Sequence, residues 1–494
     1  MRLLPLRSIG FFSLALAVAC TGCDSGGSNG VVTKAKSTVL EPRPNVLLVS
    51  IDTLRADHLS CYGYDRDTSP HIDRLADESV RFANVFAPAP WTLPSHATML
   101  TGLHSFNLGV VSEKSTIPKN VPMVTELLHQ AGYQTAAFVD SMPRGFVGAE
   151  RGFDRGFETF QHAPHRPGLP FRYEIDATMQ AAEQWLEARD QTRPFFLFLH
   201  TKAVHSVPAA KSGDPRNPPY FSPEPNHSRY LTETQARLQW GGKKEPNAVQ
   251  YLRDHNVAFA SAKMDPRSYP EERTEALKAI YDGAIHYMDE QIGRLLRKLD
   301  QMSLSDQTVV IITADHGEAF LEHNFFLHVE LYKQLLHVPL IIRLPKDRTP
   351  RVVETPVGLE DIVPTILNFT GIDIPEQVMG RQLPMDPAIK QPERWFYGHY
   401  QFGGSQSFYY AYSLQKGDWR LVYHRIGDRE WDAELYNVST DVEEKNPITD
   451  KTQVESSLRE KLHRWMAAKS PEDSPTIKLD AETIRVLKSL GYLR

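Results

Sequence analysis

The feature that most restricts this chain is a set of short, uninterrupted apolar runs, several of which stop at a charged or imidazole group. They are NVLLVSID (Asn45 to Asp52), QTAAFVD (Gln134 to Asp140), PFFLFLH (Pro194 to His200), TVVIITADHG (Thr308 to Gly317) and VPLIIRL (Val338 to Leu344). A strand that is apolar at every position must be covered on both faces, which is the condition of a parallel sheet between helices. Helical patterns such as VPMVTELLHQAG and EERTEALKAIYDGAIHYMDEQIGRLLRKLD lie between the runs. Strands alternating with helices predict an α/β layer structure on a doubly wound sheet. Ligand sites of such sheets collect at the carboxyl ends of the strands, which selects Asp52, His200 and the ADHG segment holding Asp315 and His316.

With 494 residues, 41% of them hydrophobic, the chain can bury one large core and carry a smaller appendage. A net charge of -6 leaves no basic surplus for a nucleic-acid backbone, so nucleic acid is not an expected partner. After about residue 376 the texture changes to the aromatic-rich segments RWFYGHY, FYYAYSL and WRLVYHR, followed by the helical patterns QVESSLREKLHRWM and AETIRVLKSLGYL. These predict a small antiparallel sheet with a packing helix, giving a catalytic domain over 42–375 and a C-terminal subdomain over 376–494. A segment rich in Pro, Asn and charge, 206–269, reads as an insertion beside a candidate site strand.

The chain opens with Arg2 and Arg7, a short apolar stretch IGFFSLALAVA, and small residues before Cys20 and Cys23. This pattern is an export signal, too short to span a bilayer. The expectation is a lipoprotein-type signal over 1–23, lipidated at Cys23 or alternatively Cys20, with a flexible tether over 24–41 that contains DSGGSNG. A bacterial, membrane-anchored lipoprotein facing the periplasm or the cell surface follows; a simple cleaved secretory signal is the alternative. Only Cys61 then remains in the folded part, so no disulfide framework is available.

Asp52, Asp315 and His316 could hold one divalent cation, with an oxygen nucleophile completing the shell. Taken singly, an acid at a strand end is usually a turn or cap former and an Asp-His pair a structural contact. Gly317 lets the backbone turn tightly after the pair. In WTLPSHATMLTG, Thr92 precedes a Pro-containing first helical turn and can be read as an ordinary N-cap. The same place also suits a nucleophile, because a helix N-terminus favours negative charge and a nearby cation lowers a hydroxyl pKa.

Together the segments NVLLVSIDTLRADHLSCYGY, TSPHIDRLADESVRFANVFA, TLPSHATMLTGLH, TADHGEAFLEH, LYKQLLHVPLIIRLP, LEDIVPTILNFTGI and ELYNVSTDVEEKNP resemble the sulfatase family of the alkaline-phosphatase-like superfamily. The resemblance runs from about Pro42 to Arg494. It implies a mixed, mostly parallel sheet between helices with a smaller C-terminal antiparallel subdomain. It further implies metal ligands at Asp52, Thr92, Asp315 and His316, with one divalent ion (Ca, Mn or Zn). Thr92 takes the nucleophile position, His205 resembles a substrate-anion contact, and His328, four residues before Tyr332, stands where sulfatases often carry a cation. His96 stands in place of an arginine, giving a catalytic set of Thr92, His96, His205 and His328. Lys202 and His200 are candidate substrate contacts, although for Lys202 the solvated-lysine reading is the favoured one and buried polar structural roles suit His200 and His323 well.

The departures from the family pattern matter more. Typical sulfatases convert Cys or Ser at this position to formylglycine, whose hydrated aldehyde attacks sulfur and later expels sulfate. Thr92 carries a methyl group on its carbinol carbon, so oxidation there cannot give an aldehyde and no formylglycine is expected. A sulfated threonine would have to be hydrolysed by direct attack of water, whereas a phosphorylated one has an easier in-line route. Thr53 replaces the second acid of a common Asp-Asp pair, and Ala203 stands where a carboxylate often precedes the substrate histidine, so one metal is expected rather than two. The resulting expectation is a metal-dependent hydrolase of sulfate or phosphate esters on a glycan, lipid or small molecule. The alternatives are a phospho-group transferase to a lipid or glycan acceptor, and an inactive anion-binding relative.

Overall fold

The computed structural model describes residues 40, 42–140, 145–163, 175–206, 219–238, 248–260, 263–404, 407–426, 429–430, 433–450, 453–468, 475–479 and 484. The expected signal segment 1–23 with Cys20 and Cys23, nearly all of the tether, parts of the 206–269 insertion and most of AETIRVLKSLGYL lie outside the described residues.

The apolar runs form the middle of an eight-stranded sheet. In chain order its strands are β1 (Asn45–Ile51), β2 (Val80–Phe82), β3 (Gln134–Val139), β4 (Thr159–His162), β5 (Phe195–Thr201), β6 (Thr308–Ala314), β7 (Leu340–Arg343) and β8 (Arg351–Val353). Their spatial order is β8-β2-β7-β6-β1-β5-β3-β4. β1 sits between β5 and β6 and pairs parallel with both, Leu48 opposite Phe198 and Ile311. Only β7 runs against its neighbours β6 and β2, so the sheet is mixed and mostly parallel. Every residue of β1, β5 and β6 is buried, the physical reason their sequences are unbroken rather than alternating.

Helices α1 (Pro70–Ala76) and α4 (Ile175–Ala188) pack on the long α5 (Glu271–Gln301), while α2 (Thr92–Thr101) and α3 (Val124–Gln130) pack on α6 (Ile362–Thr370). α2 is buried along its whole length, which fits its low charge and places its first turn inside the protein. Among the described residues no helix is long and apolar enough to cross a membrane.

The aromatic-rich C-terminal segments form an antiparallel sheet of β9 (Phe396–Gly404), β10 (Ser407–Lys416), β11 (Trp419–Ile426) and β12 (Glu434–Asn437), covered by α7 (Gln453–Ala467). The first of these strands begins at Phe396, some way past the textural change near 376. Trp465 of α7 stacks on Tyr397 and on Phe106, with ring centroids 4.5 and 4.3 Å apart. Phe106 and Val111 thereby join Leu414, Leu421 and Leu462 in one apolar cluster, so the C-terminal sheet shares its core with the segment following α2.

Candidate active site

Three adjacent parallel strands end together, and each delivers a polar group to the same place. β1 leads into Asp52, β5 carries His200 and leads into Lys202, and β6 leads into Asp315 and His316; all are buried. α2 brings Thr92 to this point. The extended Trp91 holds the N-cap position and makes no side-chain cap bond, and Thr92 is the first helical residue. Its hydroxyl donates instead to Asp52 Oδ2 at 3.3 Å, so the ordinary N-cap reading does not hold in the structure.

Around Asp52 the charges are ordered. Lys202 Nζ lies 3.2 Å from Asp52 Oδ2 and His200 Nε2 lies 3.6 Å from the same oxygen. Burial works against a charged Asp52, yet the neighbouring cations, the Lys202 ammonium first among them, outweigh it and hold this carboxyl well below the usual range. Burial and then the Asp52 charge push Asp315 well above it. Asp315 Oδ1 accepts the backbone N–H groups of His316 at 2.9 Å and Thr53 at 3.2 Å, while Oδ2 has no hydrogen-bond donor.

The imidazole of His316 donates from Nδ1 to the Gly317 carbonyl at 3.0 Å. Its Nε2 therefore presents a lone pair, 3.4 Å from Asp52 Oδ1 and 3.6 Å from Asp315 Oδ2. Burial, then the neighbouring His328, pulls its pKa down to about 3, so the ring is neutral and cannot answer the carboxylates with a proton. Asp52 Oδ1, Asp315 Oδ2 and His316 Nε2 are all buried without hydrogen-bond partners. One ligand atom from each residue lies within 4.8 Å of the others. Three electron-pair donors facing one another in a buried space fit a divalent cation, and a histidine whose other nitrogen donates to a carbonyl is oriented for that task.

Thr53 shows what became of the expected second acid. It adopts φ 61°, a left-handed conformation that is strained for a β-branched residue. Its hydroxyl reaches the carbonyls of Asp52 at 2.7 Å and Val204 at 3.1 Å, and its own carbonyl accepts from Tyr281 Oη at 2.6 Å. These bonds fix the turn that aims Asp52.

His96 lies one helical turn after Thr92. Its Nδ1 donates to the Thr92 carbonyl at 2.8 Å and its Nε2 pairs with Ser50 Oγ at 2.9 Å. Burial pulls its pKa down to about 4. Both nitrogens of this ring, placed from sequence in the catalytic set at an arginine's position, are thus engaged within the protein, where the ring joins α2 to β1. His200 is enclosed beside it, ring centroids 4.4 Å apart, and burial takes its pKa well below the ordinary value.

His205 donates from Nδ1 to the Ser206 carbonyl at 2.7 Å, and burial keeps the ring neutral. Its centroid is 5.1 Å from that of His328, which is 4.8 Å from His316. His205 and His328 therefore belong to the cluster. His323 does not: it stacks flat on Tyr332 at 3.6 Å.

Three supports were not singled out from sequence. Glu318 is fully buried and pairs through Oε1 with His328 Nδ1 at 3.1 Å. Arg55 donates to the Glu318 carbonyl at 3.0 Å and to Asp57 and Glu322, tying the loop after β6 to the loop after β1. Ser50 orients His96. Glu318 directly follows the Asp315 to Gly317 motif, a signal that was available; nothing local marks Arg55 or Ser50. Gly317 owes its place to crowding, because a Cβ there would meet the Gln334 carbonyl oxygen at 1.9 Å, and its φ is not left-handed. The expected tight-turn reason is corrected accordingly.

A sulfatase family model matches residues 44–372, and a model of the C-terminal region of N-sulphoglucosamine sulphohydrolase matches residues 321–471. The N-acetylglucosamine-6-O-sulfatase of Bacteroides thetaiotaomicron is 27% identical over 480 residues, covering 85% of each chain. Arylsulfatase K of Bos taurus is 26% identical over 446 residues, covering 85% of this chain and 81% of its own. A protein solved with its substrate D-glucosamine-2-N,6-O-disulfate shares the fold at TM-score 0.64 and 23% identity, covering 88% of this chain and 100% of that one. The phosphonate monoester hydrolase of Agrobacterium radiobacter shares it at TM-score 0.64 and 20% identity, over 86% and 96% of the two chains.

Proposed function

The chain belongs to the sulfatase family, and from that premise we propose that it is a metal-dependent hydrolase that uses Thr92 as nucleophile and prefers phosphorus over sulfur. Its class is that of hydrolases acting on sulfate or phosphate ester bonds. The observation that carries the finer reading is the position of the Thr92 hydroxyl, 3.3 Å from Asp52 Oδ2 at the first residue of a buried helix. A divalent cation held by Asp52, Asp315 and His316 would lower the pKa of that hydroxyl and offset charge developing on the ester.

The chain's own groups supply the remaining steps. The helix N-terminus and Lys202 attract the anionic head of the ester. Thr92 Oγ1 bonds to the phosphorus or sulfur, the bond to the alcohol oxygen breaks, and the alcohol leaves with the proton that the hydroxyl gave up. Water then attacks the same centre, and the threonine oxygen departs and recovers a proton. His205 and His328 are the proton carriers for both halves. Burial favours the neutral, basic form of His205, and an anionic ester beside it favours the imidazolium needed as acid. His96 is a positioning residue for the helix that carries Thr92.

The second half-reaction decides the substrate. A threonine ester cannot collapse to an aldehyde, so water must cleave it, and that displacement is easier at phosphorus. An anionic ester on a sugar is the carrier we favour, supported by the N-acetylglucosamine-6-O-sulfatase relative and by the neighbour solved with a glucosamine disulfate. Export and lipid attachment at Cys23 or Cys20 are proposed from the first 23 residues alone, and metabolic labelling with palmitate tests them. For the reaction, steady-state rates with paired aryl phosphodiester and aryl sulfate substrates test the preference. Faster turnover of the phosphodiester supports it, and turnover of the sulfate alone overturns it.

A further inference from the structure

At the amino ends of β1, β5 and β6, the opposite end of the sheet from Asp52 and Asp315, a cavity of about 640 Å³ opens. Arg43, Arg189, Arg193 and Lys346 line it, against one acid, Asp306. Two of these five charges are already answered: Arg193 pairs with Glu158 at 2.6 Å and Asp306 with Arg348 at 2.7 Å. Among the described residues no carboxylate forms an ion pair with Arg43, Arg189 or Lys346. The wall therefore holds three cations outside any ion pair among the described residues, with the Asp190 carboxylate only partly offsetting the charge of Arg189, in a chain whose net charge is -6.

Arg189 is the group that gives this wall meaning. It is 6% exposed, its Nη1 donates to the carbonyls of Asp190 and Arg193 at 3.0 and 3.1 Å, and its Nε has no partner. The guanidinium lies 4.8 Å from the Phe195 ring centroid, held by the first residue of β5. Burying a guanidinium without a carboxylate in ion-pair contact is costly. A surface cation that served only solubility would be exposed, as Arg43 and Lys346 are at the rim, where Arg43 Nη1 also donates to the Ala131 carbonyl at 3.1 Å. A fixed, buried guanidinium flanked by two exposed cations is the chemistry that receives a tetrahedral oxyanion.

We propose that this cavity is a second binding site, separate from the ester-cleaving one, for a sulfate or phosphate group. Arg189 forms its floor, and Arg43 and Lys346 close over the anion from the rim.

Equilibrium dialysis of the full chain with radiolabelled inorganic sulfate tests the assignment. Wild-type protein is expected to bind one equivalent more than Arg189→Met, with ester turnover equal in the two. Asp52→Asn, which alters only the other site, is expected to keep the cavity's equivalent. Should Arg189→Met fail to fold by circular dichroism, the double variant Arg43→Ala/Lys346→Ala changes exposed residues only and is expected to weaken the second class of binding about tenfold. Glycerol phosphate displacing the bound sulfate better than inorganic phosphate would identify a lipid headgroup as the source of the anion; equal displacement would identify the free oxyanion. Equal sulfate stoichiometry and affinity in wild type, Arg189→Met and the double variant would overturn the proposal.

Discussion

Replacing Asp315 with asparagine should change stability with opposite sign in the two metal states. Asp52 and Asp315 are both fully buried, and their ligand atoms lie within 4.8 Å of each other. Two like charges at 4.8 Å repel by about 3.5 kcal/mol at an effective dielectric of about 20. Part of this is already relieved, since burial and the Asp52 charge drive the Asp315 carboxyl toward protonation. Asparagine keeps an oxygen to accept from Thr53 and His316, and places an N–H where Oδ2 has no donor, facing electron pairs of Asp52 and His316. Without metal the variant is therefore expected to gain about 1 to 2 kcal/mol, a rise of about 1 to 2 °C in Tm for a chain of 494 residues. With a cation at about 100 times its Kd, wild type gains about 2.7 kcal/mol, most of which the variant loses. Thermal unfolding in chelator and then in calcium, manganese or zinc reads both effects. A variant less stable than wild type in chelator, or one keeping the full metal-induced shift, would refute the reasoning.

Three further outcomes are expected. His104 and His399 are buried where the C-terminal sheet meets the large domain, and burial lowers their pKa values to about 4 and about 3. Their folded values lie below the unfolded one, so the stability they permit is present above about pH 6.5 and is lost as pH falls, by about 1.4 kcal/mol per unit for each group. His399→Leu should accordingly flatten the difference in denaturant midpoint between pH 7 and pH 5; an unchanged slope would contradict the assignment. Gly317→Ala should cost about 3 kcal/mol or more, because the new Cβ meets the Gln334 oxygen at 1.9 Å, and should reduce metal affinity by displacing His316; a wild-type Tm would show that the loop yields. Thr92→Ala should abolish ester turnover with the fold intact by circular dichroism, while Thr92→Ser keeps the attacking oxygen and part of the rate. Activity undiminished in Thr92→Ala would remove the nucleophile from this account.

Much of the site was legible because burial on both faces leaves no freedom in β1, β5 and β6: their unbroken apolar runs mark them, and parallel topology then collects Asp52, His200, Asp315 and His316 at one end. The short strands β2, β4 and β8, of three or four residues, carry too few positions for a period to show. Thr92 was ambiguous for a physical reason. An N-cap and a nucleophile at a helix start share one local sequence, and only Asp52, 40 residues away, separates them. Arg55 and Ser50 escaped notice because their partners, Glu318 and His96, are distant in sequence. His96 showed as a replaced arginine, but that its ring is consumed by Ser50 and the Thr92 carbonyl depends on packing of α2 against β1.

The central claim, covalent attack by Thr92, is tested most directly by intact-protein mass spectrometry with peptide mapping after acid quench of the metal-loaded enzyme with an aryl phosphodiester. A phosphoryl-type mass increment on the peptide containing Thr92, absent from Thr92→Ala, is the expected result. Continued turnover in Thr92→Ala, with no adduct on Thr92 in wild type, would contradict it.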